Sequence, residues 1–346
     1  QRSAGNSNDL RGSILRITIN KDASYSIPAG NLYPQGQAKT RPEIYIKGCR
    51  NPYKMSLDKD SETIYWGEVG PDASNNSRRG PMGYDELNRA KRAGYYGWPY
   101  FVGDQAYSDF DFKTAQVSAP FANPASNDSP NNTGLNKLPE FNAPILMYPY
   151  KKLDNFPDLG NGSRNAMAGP FYNQQMRSKS FPAYFDETLF FYDWARAKIF
   201  LIKFNEQNKI HSLTPFLSNH SLVHPIDIQQ SPKGEIYILN YGSGWWNNND
   251  GTLKKVTFEG FNRRPIISMS ADKRDGPLPL QVQFSARDSY DKDGDNLTYH
   301  WDFGNGQSSQ EINPKITYTK PSIYTVKLTI KDSAGKMSTK QIQIFA

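Results

Sequence analysis

Glu187-Thr188-Leu189-Phe190-Phe191 leads into Ile199-Phe200-Leu201-Ile202-Lys203-Phe204, and the phrase returns as Glu235-Ile236-Tyr237-Ile238-Leu239 followed by Leu253-Lys254-Lys255-Val256-Thr257-Phe258. A turn residue precedes an Ile/Leu-Tyr/Phe strand, a polar or Gly-rich connection follows, and a second strand closes on Lys/Thr-Phe. Short apolar runs bounded by turn residues read as strands. A hairpin repeated in outline is what a propeller blade looks like at sequence level.

Further runs of the same kind occupy residues 13–19 and 63–68, and each closes on Gly, Pro, Asn or Asp. The repeat is irregular because polar, turn-rich loops interrupt it at 70–83 and 103–143. Structureless insertions of that size are usually functional or mobile. Residues 85–93 offer the one plausible helical turn, with Leu87, Ala90 and Ala93 on one side.

Composition agrees with an all-β reading. Aromatic residues make up 13% of the 346, and 26 Gly with 24 Pro favour strands and turns over helices. The net charge of +7 comes from basic residues set singly or in pairs such as Arg78-Arg79 and Arg263-Arg264, so nucleic-acid binding is not expected. The single cysteine, Cys49, excludes an internal disulfide framework and reads as a small buried thiol at a strand end. No run of apolar residues is long enough for a transmembrane helix. The opening Gln1-Arg2-Ser3-Ala4 carries neither Met nor a signal-peptide pattern, so the chain reads as a fragment or mature piece of something longer.

Composition shifts after residue 258. Residues 259–264 read as a linker, and 265–346 as a separate β-sandwich with strands at 266–270, 280–285, 297–302, 315–319, 324–331 and 340–345. Alternation places Val326, Leu328 and Ile330 inward, as it does Tyr299, Trp301 and Phe303, with His300 and Asp302 turned the other way. Asp291, Asp293 and Asp295 alternate like an oxygen-ligand loop, yet position six is Asn296 where an EF-hand needs Gly. A polar strand connection is the favoured account of them over a calcium site.

Four ordered phrases carry a resemblance. Gly48-Cys49-Arg50-Asn51-Pro52-Tyr53-Lys54 is followed by Tyr65-Trp66-Gly67-Glu68-Val69-Gly70-Pro71, then Gly83-Tyr84-Asp85-Glu86-Leu87-Asn88, then Gly94-Tyr95-Tyr96-Gly97-Trp98-Pro99. With Ala168-Gly169-Pro170 and Tyr241-Gly242-Ser243-Gly244-Trp245 they resemble the glucose/sorbosone dehydrogenase family, whose soluble pyrroloquinoline quinone (PQQ) sugar dehydrogenases are six-bladed propellers. The resemblance covers residues 1–258 and implies the later blades of such a propeller, incomplete in this chain. Tyr299-His300-Trp301-Asp302-Phe303-Gly304-Asn305-Gly306 and the preceding acidic loop resemble a PKD domain, an immunoglobulin-like sandwich.

The resemblance implies a PQQ- and calcium-dependent sugar or alcohol dehydrogenase. It places Arg50 and Asn51 beside the quinone oxygens, where they would stabilise developing negative charge. It gives the backbone carbonyls of Gly70 and Pro71 to the cofactor's calcium, and Asp85, Glu86 and Tyr96 to a neighbouring structural calcium. Arg196 and His224 fall where the family clamps the cofactor. Here the chain departs from the pattern: the family's lysine falls at Ala195, and no arginine pair stands near 219–227. None of the four histidines (His211, His220, His224, His300) lies in the early-blade motif that supplies the catalytic base, which is therefore expected upstream of this chain. Blade-turn architecture explains the same motifs without any cofactor.

The competing reading is a non-catalytic carbohydrate- or protein-binding propeller in a cell-envelope assembly, with the Trp245-Trp246 loop stacking a sugar or packing at a rim. Either way a periplasmic, cell-surface or secreted location is expected. The expected partners are a sugar or other polyol, an electron-accepting cytochrome, and an envelope protein or N-terminal segment that completes the propeller. Fewer than six complete blades should form, leaving an edge that needs covering.

Overall fold

The computed structural model describes residues 2–111, 113–173, 181–244, 246–258, 262–291 and 294–346. They form two compact units, Gln1–Phe258 and Glu259–Ala346. No described helix is long and apolar enough to cross a membrane.

The first unit is built from meanders. One four-stranded antiparallel sheet runs in the order Pro52–Asp58, Thr63–Glu68, Asp85–Ala90, Leu146–Tyr148. A second follows as Ala166–Tyr172, Thr188–Asp193, Lys198–Phe204, Ile210–Phe216. A third keeps three strands, Pro225–Gln230, Ile236–Asn240 and Thr252–Val256. Ahead of them Ser13–Leu15 and Ile44–Lys47 pair antiparallel, and Gly94–Tyr95 joins in parallel. Among the described residues there are fewer than six complete blades.

The central sheet explains why its strands read as unbroken apolar runs. Leu189, Phe191, Phe200 and Ile202 pack toward the first sheet against Tyr65, Leu87 and Tyr148. Phe190, Tyr192, Ile199 and Leu201 pack toward the third against Ile228, Ile236 and Ile238. A strand covered on both faces needs no polar alternation. Where the first two sheets meet, Gly67 lies against the next strand: a Cβ there would stand 2.1 Å from the carbonyl oxygen of Ala166. Outer apolar rows stay open, with Tyr53, Met55 and Leu57 exposed on one strand and the paired Leu239 and Leu253 exposed on another.

Two expectations change. The helical turn expected over 85–93 is the strand Asp85–Ala90. Its Leu87 and Ala90 are three apart because the strand is buried on both faces, a spacing that imitates one helical side. Within 103–143 the chain also forms a small hairpin, Ser108–Asp111 with Gln116–Pro120.

The second unit is a two-sheet sandwich. Ser270–Ala271, Leu280–Ser285 and Lys315–Tyr318 form one sheet; Ser308–Ser309, Leu297–Asp302, Ile323–Asp332 and Met337–Phe345 form the other. Trp301, Phe303, Phe284, Val326, Leu328 and Ile330 share its core, while His300 and Asp302 are exposed, as alternation requires. The first strand is shorter than its sequence run, with Ile266 making only a bridge to Tyr290.

Candidate functional site

One rim of the first unit gathers nearly all the residues singled out in the sequence. Pro52 stands opposite Glu68 and Glu68 opposite Glu86; Ala166 stands opposite Asp193; Pro225 stands opposite Asn240. Arg50 and Asn51 therefore lead into this rim, Gly70 and Pro71 leave it, and Asp85, Arg196 and His224 sit at neighbouring strand ends. Tyr96 belongs elsewhere. Its ring packs on Trp66 at 4.6 Å, and its hydroxyl donates to the Arg89 carbonyl at 2.7 Å, four residues along the strand from Asp85.

Glu68 organises the Arg50–Asn51 turn. Its Oε1 accepts the backbone N–H of Arg50 at 2.7 Å and that of Asn51 as well. Burial lifts its pKa to about 7 against these backbone donors. Both Arg50 and Asn51 are left exposed. The Arg50 guanidinium donates to the Val69 carbonyl at 2.7 Å and lies 5.8 Å from the ring centre of Trp98. Trp98 also lines a cleft of about 360 Å³ whose walls include Pro71, Arg79, Tyr107 and Phe110.

Behind this surface the Gly70–Pro71 turn is tied to buried charge. Asp85 Oδ1 accepts the Gly70 N–H at 3.0 Å and Oδ2 accepts the Ala166 N–H at 2.9 Å. Arg164, nearly inaccessible, places Nε 3.0 Å from Asp85 Oδ1 and donates from Nη2 to the Pro71 carbonyl at 2.7 Å. Burial raises the Asp85 pKa to about 6, with Arg164 pulling it down. No motif or spacing marks Arg164, which lies far along the chain from Asp85 in a polar, Gly-containing stretch.

Glu86 is fully engaged. It accepts the Gly103 N–H at 2.6 Å and the Asn88 side-chain amide at 3.1 Å, and burial first, then Glu68, pushes its pKa to about 8. Asp85 and Glu86 are consecutive on a strand, so their side chains leave on opposite faces and do not converge on one ion. Cys49 is buried, and burial raises its thiol pKa, which makes it a packing group.

Arg196 acts as a clip. It donates to the carbonyls of Pro149 at 2.8 Å, Ser163 at 3.0 Å, and Leu159 and Gly160 at 3.2 Å, with its backbone N–H on Asp193. His224 stacks on Trp194 at 4.3 Å and its Nδ1 lies 2.8 Å from the Trp194 carbonyl. Both side chains are therefore engaged by neighbouring backbone and by Trp194. Trp245 and Asp293 lie outside the described residues. In the second unit Asp291 and Asp295 come together with Asp332, which no spacing marked; Asp332 already accepts from Asn262 and from the Lys336 N–H.

Two all-β classes thus stand in one chain: a portion of a β-propeller whose strand ends build a polar rim, and an immunoglobulin-like sandwich. Residues 1–133 match the glucose/sorbosone dehydrogenase family and residues 262–345 match the PKD domain. HIPL2 protein of Arabidopsis thaliana is 26% identical over 268 residues, covering 71% of this chain and 33% of that protein. Pre-pro-metalloprotease PrtV of Vibrio cholerae is 47% identical over 89 residues, covering 26% of this chain and 9% of that protein. A solved glucose dehydrogenase aligns at 21% identity with a TM-score of 0.47, covering 74% of this chain and 56% of that one. The chain spans a third or less of these two curated relatives.

Proposed function

We propose that the chain belongs to a sugar or alcohol dehydrogenase of this family, exported to the periplasm, cell surface or medium, with PQQ as cofactor. The observation that carries the reading is the Arg50–Asn51 turn. Glu68 fixes its backbone while the guanidinium and amide stay exposed beside an aromatic-walled cleft. A cationic fork and an amide suit the oxygens of an anionic quinone. The cleft falls in the size range of small-molecule sites, roughly 300–1,000 Å³. Trp98 and Tyr107 set aromatic side chains into its wall, and the Arg79 guanidinium lies over the Phe110 ring at 4.2 Å. The bound quinone would take up hydride; this chain's residues hold and orient.

The fit is partial. Arg196 and His224 are spent on backbone carbonyls and a tryptophan, and the Pro71 carbonyl is occupied. That observation favours the second reading, a propeller that binds carbohydrate or protein without turnover. Titrating the protein with PQQ, then assaying dye reduction over a panel of aldoses and alcohols, separates the two. Saturable quinone binding with turnover supports the dehydrogenase. Binding of sugar with no quinone titration and no turnover supports the second reading.

A further inference from the structure

We propose that the Arg164 guanidinium is the resident cation of the Gly70–Pro71 turn, standing where the family resemblance puts a calcium ion, so that the turn is held without a divalent metal. This does not rest on the dehydrogenase reading.

The Pro71 carbonyl oxygen accepts from Arg164 Nη2 at 2.7 Å and from the Ala73 N–H at 2.9 Å. A carbonyl has two lone pairs, and both are taken. Gly83 closes the remaining approach: a Cβ there would lie 1.7 Å from that oxygen and 2.6 Å from Arg164 Nη2. On its other edge the guanidinium meets Asp85, whose same Oδ1 takes the Gly70 N–H. The Tyr150 ring covers it at 3.8 Å from the centroid. One buried cation therefore joins the Pro71 carbonyl to the carboxylate that fixes Gly70. A divalent ion on the Pro71 oxygen would stand against a fixed positive charge, a repulsion that burial strengthens.

Hydrogen exchange on the full chain, resolved over residues 69–84, tests this with calcium and with chelator. The Ala73 and Gly83 amides, bonded to Pro71 and Ala73 carbonyls, report the turn. Equal protection in calcium and chelator is expected. Slower exchange in calcium, by about tenfold or more, overturns the proposal. Arg164→Gln should speed exchange of both amides by about a hundredfold, the effect of removing one partner from a buried pair. Wild-type exchange rates in that variant would also overturn it.

Discussion

Glu68 and Glu86 are partners across the two central strands of the first four-stranded sheet, and both are buried. Burial lifts them to about 7 and about 8, and lifts Asp85 behind them to about 6. A carboxyl with a raised folded pKa stabilises the fold below its unfolded value and loses that contribution as pH rises through the folded value. Stability of the first unit should therefore fall from about pH 4.5 to about 8, at up to about 1.4 kcal/mol per pH unit for each such carboxyl. Lys47 has the opposite sign at higher pH. Burial lowers its pKa to about 8, so its contribution grows from about 8 toward the usual lysine value. Thermal melts at a series of pH values check this, with Glu86→Gln expected to flatten the upper part of the fall. A wild-type melting temperature that climbs from pH 5 to 8 would count against it.

Gly67 should tolerate no side chain. Its missing Cβ is what lets the first and second sheets meet at Ala166. Gly67→Ala must push against backbone, which has nowhere to move without parting the sheets. A loss of about 1–3 kcal/mol in denaturant unfolding is expected. An unchanged midpoint would show that the two sheets slide freely.

The blades were legible because hairpins are local: the run 198–204 and the run 63–68 coincide with strands. Tertiary cover on both faces gives the strand Asp85–Ala90 a helix-like spacing, which one sequence cannot distinguish from a helical turn. Site legibility divided differently. Arg50 and Asn51 were marked by their motif, but the partners that decide what each group is free to do are not local. Arg196 reads as a ready cation until Pro149, Leu159 and Ser163 surround it. Arg164 and Asp332 act only through residues far away in the chain.

Arg50 and Arg196 should separate binding from stability. Arg50 is exposed, and Glu68 holds its backbone rather than its side chain. Arg50→Ala should leave the melting curve within about 0.5 kcal/mol of wild type. It should also weaken quinone binding by about tenfold to a hundredfold, the scale of one charge-assisted hydrogen bond. Arg196→Ala should instead cost about 3 kcal/mol of stability by orphaning buried carbonyls and Asp193. Calorimetry with quinone titration reads both, and the reverse assignment would remove Arg50 from the candidate site.

In the second unit, neighbouring positions on one strand should differ sharply. Trp301 is fully buried, tilted against Phe284 at 5.4 Å and stacked on Phe303 at 6.2 Å, and its Nε1 donates to the Glu311 carbonyl at 2.9 Å. Trp301→Ala removes the largest side chain of that core and leaves the Glu311 carbonyl without its indole donor. The expected cost is about 3–5 kcal/mol, which is most of the stability of a small domain. His300 points to the other face and is exposed, so His300→Ala should cost less than about 1 kcal/mol. Following the second unit's transition in the full chain measures both. A sandwich that keeps its transition without Trp301 but loses it without His300 would mean the strand Leu297–Asp302 packs in the opposite register.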